Sequence, residues 1–246
     1  MQAFIAQCKA ELLRSIRNKR FLIFTILFPV AFYFIFTSVN DSNMKINGVA
    51  WKAYYLMSMT AFGLLNSSIS SLGVKMAQER SQGWVRLLKI TPLSSIAYVG
   101  SKIIATSIIN LGIIIMMFLV GKFGKGVDLS LTKWVSCGGW LLLGSIVFLA
   151  LGSLVGTTKK PETAQPIASI FQLGLAMLGG LWMPVVTMPK LMQDIAHWMP
   201  TYNFAQGPWR ILAGQSVDMK NIWILAGYLV LFFLLSSFIL KKQNAE

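Results

Sequence analysis

The chain has 246 residues, of which 55% are hydrophobic and 12% are charged, and its mean hydropathy is +0.64. This composition excludes an ordinary soluble domain, because soluble domains carry about twice that share of charged residues. The net charge of +14 is compatible with a nucleic-acid binder, but the basic residues flank apolar runs and form no groove-sized aromatic and basic cluster. We therefore expect lipid headgroups, and not nucleic acid, as the counterpart of this charge.

Six apolar runs are each close to the roughly 20 residues that a helix needs to cross a bilayer. They predict an all-α membrane protein with a single transmembrane domain, residues 1–246. The six predicted spans cover residues 21–39, 51–73, 99–121, 134–157, 166–185 and 222–240. The longer connections are residues 74–98 on the side of the termini and residues 186–221 on the opposite side.

The distribution of basic residues predicts the orientation of these spans. Six spans bring both termini to the same side, and 13 of the 22 Lys and Arg residues lie there, against seven on the other side. Short loops rich in Lys and Arg are retained in the cytoplasm. The expected location is therefore the cell membrane, with several passes and both termini cytoplasmic.

The positions of the acidic residues argue against several functions. All eight Asp and Glu residues and the single histidine, His197, fall outside the predicted spans. Carriers driven by protons or sodium commonly use an intramembrane carboxylate or histidine, and lipid-modifying enzymes need clustered catalytic or metal-binding side chains. The chain also lacks the GxxxxGK[ST] nucleotide-binding pattern. We expect no enzymatic activity, no catalytic residues, no metal site and no cofactor on this chain.

The connection 74–98 contains the sequence AQERSQGWVRLLKITPLSS. Gly83 is a helix breaker, and Trp84, Leu87 and Leu88 then repeat at the i, i+3, i+4 spacing of an amphipathic helix. Thr91-Pro92 ends that helix. By periodicity alone, a surface on which a soluble motor pushes and a passive helix on the membrane are equally good interpretations.

The N-terminal tail and the connection 186–221 also have amphipathic patterns. In the tail, Phe4, Ile5, Cys8, Leu12 and Ile16 follow helical spacing and predict an interfacial helix. In the connection 186–221, Pro189 is suited to start a helix whose apolar stripe is Leu191, Ile195 and Trp198. This segment is expected to lie on or dip into the outer leaflet.

At this point the sequence resembles a known family, the permease subunits of type-2 ABC exporters. The most specific match is Glu79-Arg80-x-x-Gly83 followed by Leu87-Leu88-x-x-Thr91-Pro92. Two positions depart from the family's pattern: Trp84 stands in place of the usual threonine, and Arg86 in place of a usual glutamate. The resemblance implies that this loop is a coupling helix that docks on the ATPase, and that the segment after Met183 is re-entrant. It also implies a homodimer that binds two copies of a separate ABC ATPase, which would hold ATP and magnesium.

Polar, aromatic and aliphatic residues on two spans are the candidates for a substrate pathway. The segment 66–71 is rich in serine, and such hydroxyls either bond across helices or line a wet cavity. In the family that this chain resembles, the second and fifth spans of two protomers face each other around the pathway. That analogy implies these residues near the cargo: Tyr55, Met59, Phe62, Asn66, Phe171, Leu175 and Met177.

The function expected from the sequence is export of an amphipathic substrate, such as a drug, antibiotic or peptide, by the permease subunit of an ATP-driven ABC exporter. Two alternatives remain open at this stage. One is a permease that exports a lipid or glycan. The other is a membrane anchor or sensory partner that transports nothing and associates with a regulator in place of an ATPase.

Overall fold

The computed structural model describes residues 2–39, 44–84 and 94–245 of the chain. The first two helices are α1, Gln2–Arg17, and α2, Lys19–Val39. Pro29 lies inside α2, and its ring packs against Gly63 of the next helix. Gly63 leaves room for the ring, because a Cβ atom at this position would lie only 3.2 Å from Pro29 Cγ. Helix α2 therefore packs closely on its neighbour at this proline.

A two-stranded antiparallel hairpin follows, β1 at Lys45–Ile46 and β2 at Val49–Ala50. Asn47 and Gly48 form its turn with φ values of 49° and 79°. Positive φ at both central residues is the requirement of a type I′ turn, for which Asn-Gly is a preferred pair. Apolar runs do not indicate this hairpin, and its signal in the sequence is the Asn47-Gly48 pair.

The next helix lies at the centre of the molecule, and we call it the central helix. It consists of α3, Trp51–Leu65, a π-helical segment, Asn66–Ser71, and α4, Leu72–Ser81. Almost every side chain of α3 is buried. Helix α2 packs against it together with three later helices, α5 (Ser95–Leu119), α6 (Leu131–Val155) and α9 (Pro200–Leu212).

The central helix continues well beyond the predicted span 51–73. It ends at Ser81, and Gly83 follows with φ 77°, which confirms the predicted helix break. We call the end of the molecule at Ser81 and Gly83 the loop end. The opposite end, beside β1 and β2, is the hairpin end.

The remaining helices are α7, Pro161–Leu178, α8, Lys190–Ala196, and α10, Met219–Ala245, with a 3₁₀ turn at Val185–Thr187. A π-helical segment, Val120–Gly124, extends α5. Helix α7 ends before the apolar run does, because Gly180 adopts φ 76° and turns the chain. Pro189 precedes α8, as predicted, and the stripe formed by Leu191, Ile195 and Trp198 is exposed.

Within the described part of the chain, three helical segments are long and apolar enough to cross a membrane: Ala97–Gly124, Leu131–Val155 and Met219–Lys242. A shorter apolar segment is Thr25–Val39. Apart from the short hairpin, the regular structure in residues 2–39, 44–84 and 94–245 is helical, which confirms the all-α prediction. The count of six spans stays a prediction.

Glycine brings α6 into contact with the central helix. A Cβ atom on Gly152 would lie 1.9 Å from the backbone oxygen of Ser68, and one on Gly73 would lie 2.8 Å from the backbone oxygen of Gly152. Only glycine allows two helix backbones to approach this closely. Close helix contacts of this kind are typical of a Gly-x-x-x-Gly pattern, which α6 and its C-cap carry at Gly152 and Gly156.

Candidate functional site

A cluster of five charged side chains joins three helices at the loop end. We call Glu11, Arg14, Lys75, Glu79 and Lys102 the charge cluster. Lys102 Nζ lies 2.7 Å from a carboxylate oxygen of Glu11 and 2.7 Å from one of Glu79. Arg14 bonds the second oxygen of Glu79 at 2.6 Å, and Lys75 bonds the second oxygen of Glu11 at 2.7 Å. The cluster thereby ties α1, α4 and α5 together.

Most of the charge cluster is removed from solvent. The side chains of Lys102, Glu79 and Glu11 are 1%, 2% and 6% exposed, whereas Arg14 is half exposed. Burying a charge is strongly unfavourable unless it is paired and hydrogen-bonded. Glu79 also accepts a hydrogen bond from the Tyr98 hydroxyl, and Lys102 Nζ lies 4.9 Å from the centre of the Tyr98 ring. Each buried charge thus has several partners within the cluster.

Helix α1, for which the sequence predicts an interfacial position, supplies a polar face to this cluster as well as an apolar one. Glu11 is buried, while Ile5 and Ile16 of the predicted apolar stripe are exposed. Phe4 packs near Gly100 of α5, where an added Cβ atom would lie 3.7 Å from its ring. The helix therefore docks on α5 through residues that include an acid, which the apolar pattern alone did not reveal.

The cluster sets the environment of the predicted coupling residues. Glu79 points into the molecule, and Arg80 is half-buried, so that burial lowers its pKa. Trp84 is 45% exposed, with the Arg14 guanidinium 5.7 Å from its ring centre. Leu87, Leu88, Thr91 and Pro92 lie outside the described residues, and their coupling role stays a prediction.

Glu11 makes the fold sensitive to acid. Burial by itself raises the pKa of Glu11, but the ion pairs with Lys102 and Lys75 outweigh burial and hold the pKa below its ordinary value of 4.5. A carboxyl whose pKa is lower in the folded than in the unfolded state stabilises the fold at higher pH. This stabilisation is complete above the ordinary pKa and disappears as the pH falls through the lower, folded value.

We therefore expect the thermal midpoint of the purified protein to fall as the pH is lowered from 5 to 3. A Glu11→Gln variant should have a lower midpoint at pH 7 and a weaker decline with acid. Circular dichroism at each pH measures both. The exposed Glu162, on α7, supplies the matched Glu162→Gln control, which should retain the wild-type decline. Identical acid profiles for Glu11→Gln and wild type would contradict this role of Glu11.

A cavity of about 680 Å³ lies beside the charge cluster. Glu11, Arg14, Lys75 and Lys102 form one part of its wall. The π-helical segment Asn66–Ser71 supplies another part of the wall, and polar residues from α2, α5 and α7 surround it. The polar wall includes Thr25, Asn66, Ser67, Ser70, Ser71, Thr106 and Gln165. Single-turn π-helical segments widen a helix locally and are frequent at functional sites. The serine-rich segment thus lines a polar space and does not only join helices.

Some of the same hydroxyls also bond between helices. Ser68 and Ser145 both accept hydrogen bonds from the Asn110 side chain, at 3.2 Å each. Ser70 donates to Gln172 of α7 at 2.6 Å. Both interpretations of the serine-rich segment therefore hold, and Ser70 meets both, because it lines the cavity and also bonds α7.

The predicted pathway residues fall into two groups. Tyr55, Met59 and Phe62 are buried among their own chain's helices, and Phe62 packs edge-on against Trp182. Asn66 lines the cavity. On α7, Leu175 is half-buried, while Phe171 and Met177 are exposed. The structure does not bring these seven residues to a common surface of the chain.

A second cavity, of about 490 Å³, lies at the hairpin end. Tyr54 and Trp209 stack in its wall with ring centres 4.5 Å apart, and Tyr202 meets Trp209 edge-on. His197, whose role the sequence left open, lines the same cavity and packs edge-on against Tyr202 at 5.0 Å. The histidine is therefore part of an aromatic wall.

Comparison with known proteins agrees with a membrane transport subunit. Residues 39–238 match a family described as "ABC-2 family transporter protein". The chain is 43% identical over 245 residues to a Bacillus subtilis protein named "Putative transport permease YvfS", with 100% of both chains covered. It is also 24% identical over 149 residues to "Linearmycin resistance permease protein LnrN" of the same organism, which covers 54% of this chain and 38% of that protein.

Proposed function

Because this chain belongs to the ABC-2 family of transporter proteins, we propose that it is the permease subunit of an ATP-driven exporter. The buried charge cluster is the observation on which this proposal rests most. It connects the helix that precedes the predicted coupling loop to two neighbouring helices. A motor that pushes on that loop would therefore move three helices together.

The proposed assembly is a homodimer in the cell membrane with two copies of a separate ABC ATPase on its cytoplasmic face. Each protomer crosses the membrane six times, and both termini and the loop end are cytoplasmic. ATP and magnesium bind to the ATPase chains only. The excess of Lys and Arg on the side of the termini supports this orientation.

The proposed mechanism is a rigid-body movement that begins at the coupling loop. When the ATPases close on ATP, Trp84, Leu87 and Leu88 carry the movement from the ATPase surface to the loop. Glu79 then transmits it inward, because its carboxylate holds both Lys102 and Arg14. Arg80, Gly83, Thr91 and Pro92 fix the shape of the loop. The cavity beside the cluster changes its access as α1, α4 and α5 move.

The proposed cargo is an amphipathic molecule such as a drug, antibiotic or peptide. The similarity to a permease named for linearmycin resistance supports this class. The cargo passes between protomers, near Asn66 and the exposed Phe171 and Met177. Tyr55, Met59, Phe62 and Leu175 join the pathway when α3 and α7 separate.

Docking of the ATPase can be tested with one substitution in the coupling loop. We expect the tagged wild-type protein, purified in detergent from its native membrane, to carry an ABC ATPase that hydrolyses ATP. Leu87→Asp places a charge in the apolar stripe and should reduce the recovered ATPase at least tenfold, because an unpaired charge is unfavourable in an apolar contact. Quantitative mass spectrometry of the eluate measures the recovery.

The matched control is Leu191→Asp, which places the same charge on the exposed stripe of α8, at the opposite end of the molecule. This control should keep its ATPase. Equal recovery with wild type and Leu87→Asp would contradict docking on the loop. A wild-type eluate that contains a signalling regulator and no ATPase would instead favour the membrane-anchor function.

A further inference from the structure

We propose that the cavity at the loop end binds the anionic headgroup of an amphipathic molecule, through a phosphate or carboxylate group. The binding itself can be tested on the permease alone. That the bound molecule is cargo rests on the proposed export function.

The charges that line the cavity favour an anion. Three cations, Arg14, Lys75 and Lys102, face it, and Glu11 is the one acid among its described lining residues. Glu79 neutralises part of this charge from outside the lining, but the cluster as a whole still holds three cations against two carboxylates. An anion within reach of Lys75 and Arg14 would therefore complete the neutralisation of the cluster.

The polar wall contains a hydrogen-bond donor ready for such a group. Ser67 is fully buried, lines the cavity, and has a hydroxyl without a hydrogen-bond partner in the described structure. A buried hydroxyl without a partner is unfavourable, since it has lost its bonds to water. Asn66, Ser71 and Thr106 line the same space. Hydroxyl and amide donors beside ammonium groups are a suitable environment for phosphate or carboxylate oxygens.

The remaining wall explains why the ligand should be amphipathic and not a free ion. The lining also contains four apolar residues, Leu72, Val74, Ala105 and Ile109. A volume of about 680 Å³ is within the range of small-molecule sites and far exceeds what one inorganic phosphate fills. An alkyl chain in contact with these residues would bury hydrocarbon, while its headgroup meets the cations.

The test uses the full-length permease, purified without its ATPase in an uncharged detergent. Decyl phosphate is the probe, and inorganic phosphate and decyl maltoside are the comparisons, which separate the headgroup from the tail. Isothermal titration calorimetry should detect binding of decyl phosphate to one site per protomer. Lys75→Gln and Ser67→Ala should each weaken that binding, Lys75→Gln by about tenfold, because each removes a donor to the anion.

The control Lys190→Gln removes an exposed lysine from α8 and should bind like wild type. Equal affinity of all four proteins for decyl phosphate would overturn the proposal, as would a lack of binding by a wild type with native circular dichroism. Inorganic phosphate that binds as tightly as decyl phosphate would overturn the amphipathic part. These outcomes do not depend on ATPase docking, so their failure is distinguishable from failure of the export function.

A second arm identifies the natural source of the headgroup. Binding of decyl phosphate is measured in nanodiscs of phosphatidylcholine and in nanodiscs of phosphatidylglycerol. Weaker binding in phosphatidylglycerol would support the site and identify a lipid headgroup as its occupant. Equal binding in both would support a site that lipid leaves open to other anionic amphiphiles. Binding that is unaffected by Lys75→Gln in either nanodisc would overturn the site.

Discussion

Replacement of Lys102 by methionine is expected to destabilise the protein more than any other single change in the charge cluster. Lys102 is the cation shared by Glu11 and Glu79, so its loss leaves two buried carboxylates with reduced compensation. Breaking a buried ion pair by removing one partner destabilises a protein by about 3–5 kcal/mol. In a chain of this size, that corresponds to a thermal midpoint lower by roughly 10 °C.

Fluorescence-detected size-exclusion chromatography after heating measures this midpoint in detergent. The matched control is Lys190→Met, which removes an exposed lysine and should change the midpoint by less than about 2 °C, because isolated surface charges contribute little. Adding Glu79→Gln to Lys102→Met should recover part of the lost stability. A Lys102→Met protein as stable as its control would contradict the buried network.

Substitution of Gly152 by alanine is the second change with a large expected effect. The new methyl group would lie 1.9 Å from the backbone oxygen of Ser68, so that α6 and the central helix must move apart. Overpacking of a tight contact destabilises by about 1–3 kcal/mol, which exceeds the 0.5–1 kcal/mol that alanine gains over glycine in a helix. Because a contact of 1.9 Å calls for the upper end of the overpacking range, we expect a net loss of about 2 kcal/mol in stability, read from the same thermal midpoint.

Gly139, on the same helix α6, provides the control for this prediction. It has open space around the position of a Cβ atom, with no atom within 4 Å. Gly139→Ala should therefore leave the midpoint unchanged or raise it slightly, through the better helix propensity of alanine. If the two alanine variants are equally stable, the close approach of α6 to Ser68 is wrong.

The helices could be predicted because their signals are local. Apolar runs identified the long helices, Gly83 identified the end of α4, and Pro189 identified the start of α8. The Gly152-x-x-x-Gly156 pattern is a further local signal, since it is typical of close helix contacts. Each of these signals depends on residues near one another in the chain, so periodicity and turn chemistry were sufficient.

The charge cluster could not be predicted in the same way. Glu11 and Glu79 lie outside the apolar runs, and hydropathy assigns such acids to solvent. Their burial depends on Lys102, which is distant from Glu11 in the sequence and whose ammonium group satisfies both carboxylates. The available signal was a lysine near the start of the apolar helix α5, because such a lysine needs a partner. The π-helical segment Asn66–Ser71 also has no signal in the apolar pattern and is visible only in the structure.

In the proposed mechanism, α1 and α4 move as one body when the coupling loop moves. The most direct test is a pair of distances, measured by electron paramagnetic resonance on the complex with its ATPase. One pair of spin labels sits on the exposed Lys9 of α1 and Ser81 of α4, and the second pair on Ser81 and Leu131, at the start of α6. Cys8 and Cys137 are first replaced by serine so that only the introduced cysteines carry labels.

When a non-hydrolysable ATP analogue and magnesium are added, the distance from Ser81 to Leu131 should change. The distance from Lys9 to Ser81 should stay the same, because the charge cluster holds α1 and α4 together. A change in the distance from Lys9 to Ser81, or no change in the distance from Ser81 to Leu131, would contradict transmission through the cluster.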